Sequence, residues 1–350
     1  MKRFLLKVSV FLIYALLWHT VFPILLDPFN VFHTDNLRAN GIWPNGHYAK
    51  MKYILSHPDR FNSFLFGSSR AGAVHTDRIK GRKCYDMNYS LGMPGQYLTN
   101  IKTFLANNVH PQTIYIALDY SSICTEEDYT HRHVINDQIR CPYDYIQSHR
   151  LHFIRMYLDP ATALQSIATM INARLGRSEI INPEVFYKWG WEIPYDRPVR
   201  INWNNKNDVV PAIEPRHHEG VKYSLDIMME IAEICRSNNI ELVIFTNPLH
   251  YVTYLPAIRD KSYTEFLEGL AEISDFWNFS SLNDITLSND NYIETSHYKA
   301  KIGDLIVDVM CNGVEYPALQ AQGFGVKVTR ENVKDFIKVL KAQAEKYPLL

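Results

Sequence analysis

Ser69 lies in the run Phe64-Leu65-Phe66-Gly67-Ser68-Ser69-Arg70, and Glu294-Thr295-Ser296-His297-Tyr298 follows more than two hundred residues later. The first run is an apolar strand entering a tight Gly-Ser-Ser turn. The second sets a carboxylate three residues before a histidine at the entry to a helix. Together they offer a nucleophile, a base and an orienting acid, the parts needed for acyl transfer through a serine ester. Each piece has a plain structural use as well. A serine at a strand-to-helix turn caps helices, and a histidine at a helix start is often structural.

Arg70, beside the serine, suits either an anionic substrate or an ion pair with a surface carboxylate. His131-Arg132-His133 and His217-His218-Glu219 are read as solvated loop histidines, because no further ligand stands at metal-site spacing. We therefore expect no metal. The chain shows no Walker loop and no dinucleotide fingerprint, so no cofactor is expected. Phe186-Tyr187-Lys188-Trp189-Gly190-Trp191 could stack on sugar rings of a glycan, or simply pack its segment down.

These groups need a scaffold, and 350 residues with 47% hydrophobic content can build one. Lys+Arg 36 against Asp+Glu 37 leaves no electrostatic footprint for nucleic acid. The N-terminus differs from the rest. Met1-Lys2-Arg3 and Lys7 are basic, and no formal charge occurs from Val8 to Leu26. A helix of about 20 such residues crosses a hydrocarbon core. The basic flank predicts an uncleaved, single-pass anchor over residues 1–30 in the cytoplasmic membrane. Residues 31–350 then form one extracytoplasmic domain. The rival, a cleaved signal peptide, calls for a small-x-small site that the region around Asp27 lacks. Five cysteines without CxxC spacing read as buried free thiols, although Cys124 and Cys141 could form one bridge.

Residues 27–56 read as an irregular connector. Strands are predicted at 61–66, 84–88, 113–118, 240–245 and 276–279. Helices are predicted at 96–107, 223–236, 263–273 and 298–310. This alternation implies an α/β fold, a three-layer αβα parallel sheet. The stretch 124–216 is too long for a simple connection and reads as a large insertion with a helical piece at 157–175. A further helix is predicted at 331–346, docked either on the core or on another chain. In such sheets reactive groups collect beyond the carboxyl ends of the strands, where Ser69 falls.

In order and spacing the chain resembles the SGNH/GDSL hydrolase superfamily over residues 61–310, the insertion excepted. The first block resembles Gly67-Ser68-Ser69, with Ser68 where the family usually has Asp. That variant is similar to the membrane-anchored branch containing the D-alanyl-lipoteichoic acid biosynthesis protein D and the alginate O-acetylation proteins. The second block resembles Asn88 to Gly95, and the resemblance implies that a backbone N–H of Ser90 or Gly92 joins an oxyanion hole. The third block usually reads Gly-x-Asn-Asp. Here it reads Ala117-Leu118-Asp119-Tyr120, and an ionised Asp119 cannot donate. It would need a proton or a different role, or Tyr120 or Ser121 would stand in. In the fourth block Glu294 replaces Asp. The resemblance implies a flavodoxin-like fold and an O-acyltransferase acting on a cell-surface glycan, with an acyl donor and a polytopic membrane acyltransferase as partners. The alternatives are an esterase or deacetylase with the same triad, or a silent scaffold.

Overall fold

The computed structural model describes residues 1–27, 31–32, 45–125, 143–177, 182–190, 198–212 and 219–347. Six strands form one sheet: β1 (Ser63–Phe66), β2 (Cys84–Asp86), β3 (Thr113–Leu118), β4 (Glu241–Thr246), β5 (Phe276–Asn278) and β6 (Val326–Val328). Their order is β2-β1-β3-β4-β5-β6. β1 to β5 pair in parallel, with Phe66 beside Ile116 and Leu118 beside Thr246. In the order 2-1-3-4-5 the connections change direction between β1 and β3, which opens a crevice beyond their carboxyl ends. β6 corrects the all-parallel expectation. It runs antiparallel to β5 at the edge of the sheet, reached only after the helix Ala300–Asn312, with Gly325 N–H donating to Asn278 O at 2.7 Å.

Continuous apolar strands mean burial on both faces. Leu65, Tyr115, Ala117 and Phe245 share one cluster with Ile302, Ile306 and Val307 of the helix Ala300–Asn312. On the opposite face Phe64 meets Phe104 at 4.7 Å, and Phe66 meets Tyr97 at 5.7 Å, both from the helix Pro94–Ala106. Each such side chain contributes about 1.5–3 kcal/mol by leaving water. The helix Val333–Glu345 docks on this body, with Ile337, Leu340 and Ala344 buried beside the helices Tyr251–Arg259 and Lys261–Ile273.

The chain divides into two units, Met1–Ser56 with His133–Lys188, and His57–Arg132 with Trp189–Leu350. The sheet belongs to the second. In the first, the helix Lys2–Leu26 is long and apolar enough to cross a membrane, and only 6% of its apolar window is buried. Asp27 ends it in a left-handed conformation, and its carboxylate accepts the Val31 N–H at 2.9 Å and the Tyr157 O–H at 3.0 Å.

The irregular connector expected at 27–56 contains a helix, Gly46–Ser56, whose Ala49, Met51, Tyr53 and Ile54 are buried. The helical piece expected at 157–175 is the helix Pro160–Arg174, with proline at its favoured first position, and a separate helix, Arg150–Tyr157, precedes it. Cys84, Cys124, Cys235 and Cys311 are free thiols, whereas Cys141, His131 to His133, Trp191, His217 and His218 fall outside the described residues.

Candidate active site

Ser69 follows β1 by three residues, in a turn that needs small residues. A Cβ on Gly67 would stand 2.5 Å from the Ala71 Cβ and 3.0 Å from the Ala117 Cβ. Such contacts push β1 away from β3, so glycine lets the turn seat against its neighbour. Ser68 points inward, and Ser69 is half-buried.

His297 and Glu294 share one tight loop. Tyr292 and Tyr298 form an antiparallel bridge, and Ile293 N–H donates to His297 O at 2.9 Å, so Glu294 to Ser296 form the tip. The tip is pinned from outside as well. Thr295 Oγ1 donates to Val210 O at 2.7 Å, Thr253 Oγ1 donates to Thr295 O at 2.7 Å, and Arg200 N–H donates to Ile293 O at 2.9 Å. The helix predicted to start at Tyr298 starts at Ala300, so His297 stands in the loop ahead of it.

Glu294 accepts three bonds from its own loop. Oε2 takes the Ser296 N–H at 2.9 Å, and Oε1 takes both the His297 N–H at 2.9 Å and the His297 Nδ1–H. The extra methylene relative to Asp is absorbed by folding the carboxylate back over the turn. Burial would raise the Glu294 pKa, but the His297 ring and these N–H donors outweigh it and hold it below its ordinary value. With Nδ1 protonated, Nε2 is the acceptor, and Ser69 Oγ donates to it at 2.8 Å. The His297 side chain remains 23% exposed, so this line of three residues is open to solvent.

Behind Ser69 lies a buried charge pair. Arg70 Nη1 contacts Asp119 Oδ2 at 3.0 Å, with both side chains almost fully buried. Arg70 is thus ion-paired with an internal carboxylate, not a surface one. Asp119 also accepts the Ser121 N–H at 2.9 Å, the Ser121 hydroxyl, the Ser68 hydroxyl at 3.2 Å and Asn247 Nδ2–H at 3.4 Å. Burial would raise its pKa, yet the Arg70 charge and the Ser121 donors hold it below the usual carboxylate value. Asp119 is therefore ionised and accepts only. Tyr120, named above as a substitute donor, gives its hydroxyl to Asp260.

The loop Tyr89 to Gly92 lies against Gly67, whose carbonyl accepts the Tyr89 N–H at 3.3 Å. A Cβ on Gly92 would sit 2.5 Å from that same oxygen. The Gly92 N–H is committed to Tyr89 O at 3.1 Å, whereas the backbone N–H groups of Ser69 and Ser90 have no hydrogen-bond partner among the described residues.

Asn247, Ser296 and Tyr298 also belong to this network, although no motif marks them. Asn247 follows β4 directly, the same placement that singled out Ser69, and its Oδ1 accepts the Tyr298 hydroxyl at 3.0 Å. Ser296 carried no signal, because a serine between an acid and a histidine shows nothing of an arginine 226 residues away. Among the described residues no group of His, Cys, Asp and Glu could hold a metal ion. No protein-family model matches the chain, and no curated protein matches it.

Proposed function

We propose that this chain is a serine acyl-transfer enzyme in which Ser69 is the nucleophile, His297 the general base and Glu294 its orienting partner. The carrying observation is the unbroken line from Ser69 Oγ through His297 Nε2 and Nδ1 to Glu294, assembled from opposite ends of the chain. Ser69 Oγ bonds to the acyl carbonyl carbon as its proton passes to His297 Nε2. The bond to the leaving group then breaks, and that group takes the proton from His297. An incoming hydroxyl next gives its proton to His297 and attacks the Ser69 ester, and Ser69 Oγ departs by taking that proton from His297. Ser69 N–H and Ser90 N–H receive the developing oxyanion.

The fold is SGNH-like in this reading. The helix Lys2–Leu26 holds the body at the outer side of the cytoplasmic membrane, where the acceptor is a hydroxyl of a cell-surface or exported polysaccharide and the acyl group is an acetyl or similar. A polytopic membrane acyltransferase supplying that group is the natural partner. Fluorophosphonate labelling of the full chain tests the enzyme. Labelling that disappears in Ser69→Ala supports it, and an unlabelled wild type sinks it. Product analysis with glycan against water then separates transferase from esterase. One observation favours a silent scaffold instead. Asp119 holds an arginine where the family pattern carries a donor Asn, and failure to label would leave that reading standing.

A further inference from the structure

We infer that Arg70 is a positioning residue that locks the spacing of Ser69 and His297 through Ser296. The inference rests on the triad reading above. Arg70 follows Ser69, and Ser296 precedes His297. Arg70 Nη2 donates to Ser296 Oγ at 2.6 Å, while Ser69 Oγ donates to His297 Nε2 at 2.8 Å. These two bonds and the two intervening stretches of backbone close a ring. Neither the serine turn nor the histidine turn can shift without breaking a member of it.

The other arm of the guanidinium fixes the ring to the sheet. Nη1 reaches Asp119 at 3.0 Å and Ser121 Oγ at 3.2 Å, beyond the end of β3. A planar fork serves both directions at once, whereas an ammonium is a point charge that settles on the carboxylate. Only 6% of Arg70 is exposed and both Nη atoms are engaged, so it offers no open face to an anionic substrate. The buried ion pair takes on a task other than stability, since such pairs return little stability in themselves. A displacement of about 1 Å between reacting groups costs about 100-fold in rate.

The test measures fluorophosphonate inactivation of the full chain in detergent, resolved into probe affinity and maximal rate, together with melting midpoints. In Ser296→Ala we expect the maximal rate to fall about tenfold, with affinity and midpoint close to wild type. Ser296→Thr keeps the hydroxyl and should recover most of the rate. Arg70→Lys should lose about 100-fold. A wild-type rate in Ser296→Ala, or a loss matched by unfolding alone, overturns the inference. If the wild type does not label at all, the enzyme reading fails by itself. The crystal structure of Ser296→Ala then decides the positioning role. A Ser69–His297 separation beyond hydrogen-bond reach upholds it, and an unchanged contact overturns it.

Discussion

Glu294 holds the His297 main chain and the His297 ring with one and the same oxygen, Oε1. The acid therefore shapes the loop that carries the base, and it also fixes which ring nitrogen is protonated. A neutral amide at this position can present its NH2 to the ring and favour the wrong tautomer. Glu294→Gln should lower the fluorophosphonate inactivation rate by roughly 10⁴-fold, the scale seen when a triad acid becomes its amide. Glu294→Asp keeps the charge but shortens the arm, so it cannot serve the turn and the ring together. Its rate should fall less, about tenfold. Equal rates for both variants and wild type would remove Glu294 from the chemistry.

Asp119 predicts a result that a family-pattern argument would reverse. Asp119→Asn restores the amide that the SGNH pattern carries in its third block. If a missing donor limits the site, labelling should rise. The geometry argues otherwise, because Asn leaves the buried Arg70 charge without its counter-charge. Removing one partner of a buried pair costs about 3–5 kcal/mol. We expect a loss of roughly 3 kcal/mol by urea denaturation of the full chain, with labelling reduced rather than raised.

The parallel strands were legible because β1, β3 and β4 carry short apolar runs such as Ile114 to Leu118, whereas β2 and β5 end on Asp86 and Asn278 and stood out only as short pieces between loops. Ser69, His297 and Glu294 were legible because a strand end and an i, i+3 spacing are local facts. Arg70 was visible as a charge beside the serine, but its partner was not. Asp119 lies 49 residues on and Ser296 lies 226 residues on, and only the fold joins them. β6 was missed because Val326-Lys327-Val328 is three residues long and belongs to the sheet only through β5. The helix Gly46–Ser56 was hidden by a neighbourhood rich in Gly, Pro and Asn.

Stability should fall in two stages as pH drops. His250 is fully buried and caps the helix Tyr251–Arg259, with Nδ1 accepting the Val252 N–H at 3.4 Å and Nε2–H donating to Asn289 at 3.0 Å. Burial pushes its pKa down to about 4, against a lesser upward pull from Asn289 and Glu294. The unfolded chain therefore binds a proton that the folded chain refuses. Stability is complete above pH 6.5 and declines toward pH 4, by roughly 3 kcal/mol. Asp119 and Glu294 have depressed values, so their contribution is complete above about pH 4 and lost as pH falls through their folded values. Urea midpoints measured from pH 7 to pH 3 should show both limbs. His250→Asn should flatten the upper limb alone, and an unchanged upper limb would contradict the assignment.

Gly92→Ala probes the loop that carries the Ser90 N–H. The added methyl meets the Gly67 carbonyl oxygen at 2.5 Å, a backbone atom that also holds the Tyr89 N–H. The loop must retreat from the serine turn. Overpacking of this kind costs about 1–3 kcal/mol. If Ser90 helps hold an oxyanion, the maximal inactivation rate should drop about 100-fold as the donor withdraws. A stability loss with an unchanged rate would acquit this loop of any role in the chemistry.

The helix Lys2–Leu26 makes the last prediction. Leu12 and Leu16 are exposed near its middle. In a bilayer each faces hydrocarbon. An aspartate at the centre of a membrane helix costs about 2.5–3.5 kcal/mol, so Leu12→Asp with Leu16→Asp together should cost about 6 kcal/mol. That is enough to prevent stable insertion. The wild type should resist extraction by alkaline carbonate, the double variant should enter the supernatant, and the mature wild-type chain should still begin Met1-Lys2-Arg3. A wild type that washes off, or one that has lost this segment, would exclude the anchor and with it the surface location proposed for the chemistry.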